Sequence, residues 1–281
     1  AVGGVGALTY LCSRDVVRSR PARAALGLVP VLVPTVAAEV LGTTANLHWF
    51  LLWLTPWLLL CRPTTRRGAW ALAAVLLVVM LSETQALMFL PLLLVGLRDR
   101  LRLPVVAAFL LGGAAQVLVL LVGGRSTSVL DEGTPTLLDL VQGYGLHVFL
   151  QMFRPDASGV GDVLVDRGWS VVVAASVPFL LVLAALVATT RRRDDWPVTL
   201  AIGAGALVPF VAGVVLNFRS FLAFSEFPLE TLAVFAPLRY AVVPAMFVLA
   251  AAVVVADRAP RAVGGVLLAA VLVLGVWRLD V

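Results

Sequence analysis

The chain has 281 residues, of which 61% are hydrophobic and only 13% charged, with a mean hydropathy of +1.04. An ordinary soluble domain is less apolar and more charged, so that class is excluded. The net charge of +5 is carried by arginine alone, with no lysine, and its distribution, rather than its size, carries the information.

In chain order, apolar blocks occupy roughly 1–12, 24–36, 46–61, 69–82, 86–97, 104–122, 170–190, 198–216, 241–256 and 262–277. They are long and bounded by arginine clusters, which predicts transmembrane helices. The short alternating segments of a β-barrel are not present. The expected fold is an all-α integral membrane protein: one polytopic bundle over 1–281 with about ten crossings, several of them short. The opening "AVGGVGALTYLC" reads as a helix already under way and starts with Ala1, so a fragment lacking its natural N-terminal region is expected.

Alternating the blocks across a bilayer places fifteen arginines on one side and six on the other. The carboxylates divide the opposite way, five against eleven, giving +10 and −5. By the positive-inside rule the first side is cytoplasmic. The positive charge is then a topology signal, and nucleic acid drops out as a partner. Reading 69–97 as one crossing would abolish this bias, so two are expected, joined at Ser82-Glu83-Thr84-Gln85. Their cost is length: twelve α-helical residues span only about 18 Å against a bilayer core of about 30 Å. Trp49, Trp53 and Trp57 form one stripe at i, i+4, i+8, read as packing and anchoring.

Two extracytoplasmic loops are long, 123–169 and 217–240. In the first, Thr136–Phe153 has apolar residues at helical spacing, which predicts an amphipathic helix along the membrane surface, with Gly143 and Gly145 against it. The second predicts another short interfacial helix. Asp131, Glu132, Asp156, Asp162 and Asp166 read as solvated loop charges.

Apart from Gln116, the strongly polar residues collect at outer ends: Glu39, Asn46, His48, Glu83, Gln85, His147, Gln151, Arg154, Arg219, Glu226, Glu230, Arg239 and Tyr240. Polar groups at membrane depth face an interior or a water-filled cavity. Each also has a plainer role. Glu39 and Glu83 suit turn caps, Asn46 suits the N-cap of the helix starting at Leu47, and Arg219 and Arg239 suit pairing with Glu226 or Glu230. Arginine is disfavoured on outer faces, so the alternative for Arg219 and Arg239 is an anionic ligand such as phosphate. Two histidines and two cysteines, well separated, argue against a metal site, and no P-loop, GxSxG or HExxH occurs.

Three stretches resemble bacterial GT-C glycosyltransferases: "EVLGTTANLHWFLLWLTPWLLL", "VVMLSETQALMFLPLLLVGLRDRLRL" and "PLRYAVVPAMFVLAAAVVVADR". The second resembles the family's short helical hairpin, whose outer turn often reads like Thr-Lys-Gly-Pro; here the lysine and proline are absent. The third resembles its late Arg-Tyr helix start. The resemblance implies transfer of a sugar from a polyprenyl-phosphate donor at the extracytoplasmic face of the bacterial inner membrane. It implies Arg239 and Arg219 on the lipid phosphate. Tyr240, Asn46, His48 and Gln85 are the other candidate substrate contacts. The family's usual aspartate base lies in an early loop missing here, so Glu39 and Glu83 are the candidate bases. No cofactor is expected. The readings left beside it are a transporter or lipid flippase, an O-antigen-type polymerase or ligase, and a membrane scaffold. Short paired helices speak for the transporter; the absence of an inverted repeat speaks against it.

Overall fold

The computed structural model describes residues 2–33, 46–97, 99–122, 133–154, 157–192, 195–232 and 239–276. All regular structure among them is helical. Each expected apolar block holds one helix. These are α1 (Val2–Cys12), α2 (Arg20–Leu32), α3 (Leu47–Leu60), α4 (Arg66–Ser82), a 3₁₀ helix (Thr84–Val95) and α5 (Leu103–Val122). Between the fifth and sixth helices of the series and the C-terminal half come α6 (Leu137–Tyr144) and α7 (Ala157–Arg167). Then follow α8 (Trp169–Arg191), α9 (Trp196–Leu216), α10 (Val242–Arg258) and α11 (Arg261–Val276).

Among the described residues four segments are long and apolar enough to cross a membrane: Arg100–Val122, Trp169–Arg191, Trp196–Leu216 and Arg239–Arg258. Their burial differs in a telling way. The apolar window of Arg239–Arg258 is 89% buried, that of Trp169–Arg191 only 22%. α10 is therefore the central post, packed by α2, α3, α8, α9 and α11. Along α8, Val173, Val177, Leu180, Leu181 and Val187 point outward. In water such a face would be an aggregation liability; against lipid it is favourable. This is the architecture of an all-α membrane protein.

The segment 66–122 folds as an N. Arg66 and Arg100 line one cavity at one end. At the other end the Gln116 side-chain amide donates to the Leu81 carbonyl at 2.5 Å, and Thr84 Oγ1 bonds Gln116 Oε1 at 2.9 Å. α4 and α5 thus run parallel and pack directly on each other, with a Cβ on Gly112 only 2.5 Å from Met80, and 84–95 returns alongside them. The apparent shortage of length is met by the kind of helix. Seventeen α-helical residues of α4 cover about 25 Å. Twelve residues in 3₁₀ form, at about 2.0 Å each, cover about 24 Å where an α-helix would cover 18 Å. Gln116, the lone strongly polar residue inside a block, pins the outer corner of the N.

The tryptophan stripe packs inside the protein. Trp53 and Trp57 are fully buried, edge-on at 5.3 Å, and Phe247 of α10 lies 5.0 Å from Trp53. Trp53 Nε1 donates to Thr9 Oγ1 at 3.0 Å. Packing accounts for these rings; anchoring in lipid does not, since they do not reach it.

One end of the bundle is tied by carboxylates that accept backbone amides. Asp257 accepts from Arg18 and Ser19 at 2.9 and 2.8 Å, Asp15 from Arg62 at 2.8 Å, and Asp99 from Leu101 at 2.9 Å. Asp195 pairs with Arg258 at 3.0 Å. Arg102 is buried and donates to the Leu59 carbonyl. The acids at this end hold the chain together, and among the described residues only Arg14 and Arg258 of its arginines form ion pairs.

The outer segments differ from expectation in three ways. The helix starting at Leu137 does continue to Phe153, through a π-helical stretch Gly145–Leu150. However, only its first turns show an exposed apolar face, with Leu137, Leu138 and Val141 outward. From Gly145 to Met152 it is buried against α8 and α10, so it inserts rather than lying on the surface. The two glycines are the reason. A Cβ on Gly143 would stand 2.5 Å from the Phe224 ring, and one on Gly145 would stand 2.7 Å from Val172. Glycine there allows the close approach that insertion needs. Second, α7 occupies what was expected to be loop, burying Val160 and Leu164 while Asp162 and Asp166 stay exposed. Third, 217–232 contains 3₁₀ turns at Ser220–Leu222 and Phe224–Glu226 and one helical turn at Leu229–Leu232, not a single interfacial helix.

Candidate functional site

The end opposite the carboxylate ties gathers most of the expected polar residues. The start of α3 meets the start of α10, with Trp49 edge-on to Tyr240 at 6.2 Å. The last turn of α9 joins them: a Cβ on Gly213 would lie 2.7 Å from the Tyr240 ring. Gly213→Val should therefore displace Tyr240 and cost about 1–3 kcal/mol by overpacking, read as a lower melting temperature in detergent.

Asn46 stands at the N-cap position of α3, but its side chain does not cap the helix. Its backbone, at φ −97 and ψ 4, is not the extended conformation that N-caps adopt. His48 is half-buried and tilts against Trp49 at 4.4 Å. Arg239 is exposed, its guanidinium 5.5 Å from the centre of its own neighbour's ring, Tyr240. Tyr240 is buried. Among the described residues neither Arg239 nor Arg219 forms an ion pair with Glu226 or Glu230, both of which are exposed. Glu39 lies outside the described residues.

Glu83 is buried at the corner between α4 and the 3₁₀ helix. Its Oε1 accepts the Gln85 amide at 2.8 Å, so it caps the 3₁₀ helix. The neighbouring Gln85 leaves its carbonyl oxygen Oε1 buried without a protein partner. Arg219 Nη1 is likewise buried without a protein partner, whereas His147 and Gln151, one helical turn apart, pair with each other through their side chains. Buried polar atoms are ordinarily hydrogen-bonded, so Gln85 Oε1 and Arg219 Nη1 call for polar partners from solvent or a ligand. His147 sits in the π-helical stretch, 5.3 Å from Phe224. Burial pushes its imidazole down to about 4, so the ring is neutral at pH 7.

The residue that organises this end is one the polar inventory passed over. Asp139 is buried and accepts four hydrogen bonds. Thr136 gives its amide at 2.8 Å and its hydroxyl at 2.6 Å; Ser225 gives its amide at 2.8 Å and its hydroxyl at 2.7 Å. The Thr136 amide bond, together with the Asp139 amide donating back to Thr136 Oγ1 at 3.1 Å, makes a capping box at the start of α6. The Ser225 pair ties the two outer segments together and sets Phe224 against Gly143 and His147. The sequence signal was Thr136-x-x-Asp139 before an apolar run.

No protein-family model, curated protein or solved structure matches the chain. Its function rests on the chemistry of its residues. No group of three or more His, Cys, Asp or Glu side chains able to hold a metal occurs among the described residues.

Proposed function

We propose that the chain is a polytopic glycosyltransferase of the bacterial inner membrane with about ten crossings. It moves a sugar from a polyprenyl-phosphate donor at the extracytoplasmic face. The observation that supports this reading is that Arg239 and Arg219, at the end expected to be extracytoplasmic, have no acidic partner among the described residues, beside a buried Gln85 Oε1 and Arg219 Nη1 without protein partners. Arg239 and Arg219 supply fixed positive charge for the phosphate. Asn46, His48 and Gln85 offer contacts to sugar hydroxyls, with Tyr240 as the ring beneath the arginine.

Transfer requires a base to take the acceptor hydroxyl's proton and a positive group for the departing phosphate. The acceptor oxygen bonds to the anomeric carbon as the carbon–oxygen bond to phosphate breaks, and the electron pair leaves with the phosphate. Glu83, and Glu39 by its place in the sequence alone, are the candidate bases. Glu83 already accepts an amide through one oxygen, which fixes its orientation.

The deciding experiment is binding of a long-chain polyprenyl phosphate to the purified full chain in neutral detergent, against the uncharged polyprenol of equal length. A preference of at least about tenfold for the phosphate is expected from one charge-assisted hydrogen bond. Equal binding of the two would overturn the reading.

The orientation has its own test. Arg192→Cys and Glu230→Cys, each in a background lacking Cys12 and Cys61, place single thiols at exposed positions of the two ends. An impermeant thiol reagent should label position 230 in intact cells and position 192 only after permeabilisation. The reverse pattern would invert the topology.

A further inference from the structure

At the arginine-rich end a cavity of about 490 Å³ lies between the first turns of α4 and α5. Its walls include Arg66, Trp70, Arg100, Leu103 and Pro104. We propose that this cavity binds the phosphate headgroup of an anionic phospholipid, at a site separate from the polar end. The proposal does not depend on the transferase reading.

Charge comes first. Arg66 and Arg100 are exposed, and among the described residues neither has a carboxylate or carbonyl partner. Asp99, the sequence neighbour of Arg100, turns Oδ1 to the Leu101 amide and forms no ion pair with either arginine. The cavity therefore holds two guanidinium groups with no ion-pair partner among the described residues, each with the planar fork that suits phosphate oxygens. The first turns of both helices add partial positive charge in the same place. Thirty-odd residues of sequence separate the two arginines, and the parallel run of α4 and α5 is what brings them together.

Shape comes second. Trp70 is 66% exposed although it is the largest side chain of α4, a placement that fits the interface between headgroups and acyl chains. From Leu103 an exposed apolar stripe continues along α5 through Leu110, Leu111, Leu118 and Leu121. Val78 and Leu81 extend a parallel stripe on α4. A charged niche opening onto a long apolar face matches a molecule with a phosphate head and acyl chains. A soluble phosphate would leave the face unused. A zwitterionic lipid brings its own ammonium into a niche that already holds two cations. Basic pockets between membrane helices bind acidic headgroups on these grounds.

The full chain, purified in neutral detergent, is titrated with phosphatidylglycerol, with phosphatidylcholine of the same acyl chains, and with inorganic phosphate. Retained lipid is counted by native mass spectrometry. Phosphatidylglycerol should be held at least tenfold more tightly than phosphatidylcholine, and inorganic phosphate should compete only at far higher concentration. Arg66→Gln with Arg100→Gln should abolish the preference. Arg66→Lys with Arg100→Lys should keep part of it, which separates loss of charge from loss of fold. Arg20→Gln with Arg261→Gln removes the same charge from exposed positions at the same end and should keep the preference. Equal retention of the two lipids would overturn the proposal. So would a preference that survives in the Arg66→Gln, Arg100→Gln protein, or is lost equally in the Arg20→Gln, Arg261→Gln protein. Inorganic phosphate displacing lipid at matched concentration would show a site for a soluble anion instead.

Discussion

Asp139→Ala is expected to lower the stability of the protein by about 2–4 kcal/mol, from loss of charge-assisted hydrogen bonds and a helix cap. The carboxylate takes four hydrogen bonds, so its removal strands two amides and two hydroxyls that are partly or wholly buried. Asp139→Asn should fall between, because an amide has one accepting oxygen in place of two. The pH dependence follows from the same contacts. Burial pushes the carboxyl up, but hydrogen bonds from Thr136 and Ser225 outweigh it and hold it below the ordinary carboxylate value. The unfolded chain thus binds this proton more readily than the folded one. The contribution is complete above the unfolded value of about 3.9 and is lost as pH falls through the folded one. Thermal unfolding in detergent from pH 7 down to 3 should show this acid loss in the native protein and less of it in Asp139→Asn. A double-mutant cycle with Ser225→Ala should give a coupling of roughly 0.5–3 kcal/mol. Strict additivity would mean that Asp139 does not join the two outer segments.

The helices were legible in the sequence because each apolar block is bounded at one end by arginine, and burial in lipid leaves little choice of structure. The corner at Glu83 was legible for the same reason: charge bias required a return segment there. What sequence did not reveal was how twelve residues match the length of seventeen. Helix type at fixed composition depends on the parallel neighbours that set the distance, and nothing local encodes it. Glycine was misread at Gly143 and Gly145. Propensity counts it against a helix, yet here the missing Cβ lets the helix pass Phe224 and Val172. The carboxylate ties at the arginine-rich end were hidden as well. Asp257 meets Ser19 across 238 residues, and no periodicity reports a pairing of that kind. At the polar end, the residue types that matter were visible one by one. Their orphaned atoms were not, because lack of a partner is a property of packing.

Arg239→Ala should weaken binding of a polyprenyl-phosphate donor about ten- to a hundredfold while leaving the folded protein intact. One charge-assisted hydrogen bond at about 1.5–3 kcal/mol gives that range. The fold should survive because the side chain is exposed, with its guanidinium over the face of Tyr240 and no ion pair among the described residues. A cation over an exposed ring contributes only about 0.5–1 kcal/mol. A structural pair with Glu226 or Glu230 would behave differently. It predicts loss of folded protein in Arg239→Ala, and recovery when the glutamate is also removed. No such pair forms among the described residues, so neither effect is expected. Arg239→Lys should recover part of the affinity, since an ammonium keeps the charge but not the bidentate fork. Tyr240→Phe keeps the ring under the guanidinium and should bind donor nearly as well as the native protein. Tyr240→Ala removes that platform and should lose affinity together with packing against Trp49 and Gly213. Native-like donor affinity in a well-folded Arg239→Ala protein would remove Arg239 from the phosphate site and leave Arg219, with its buried orphan Nη1, as the remaining candidate.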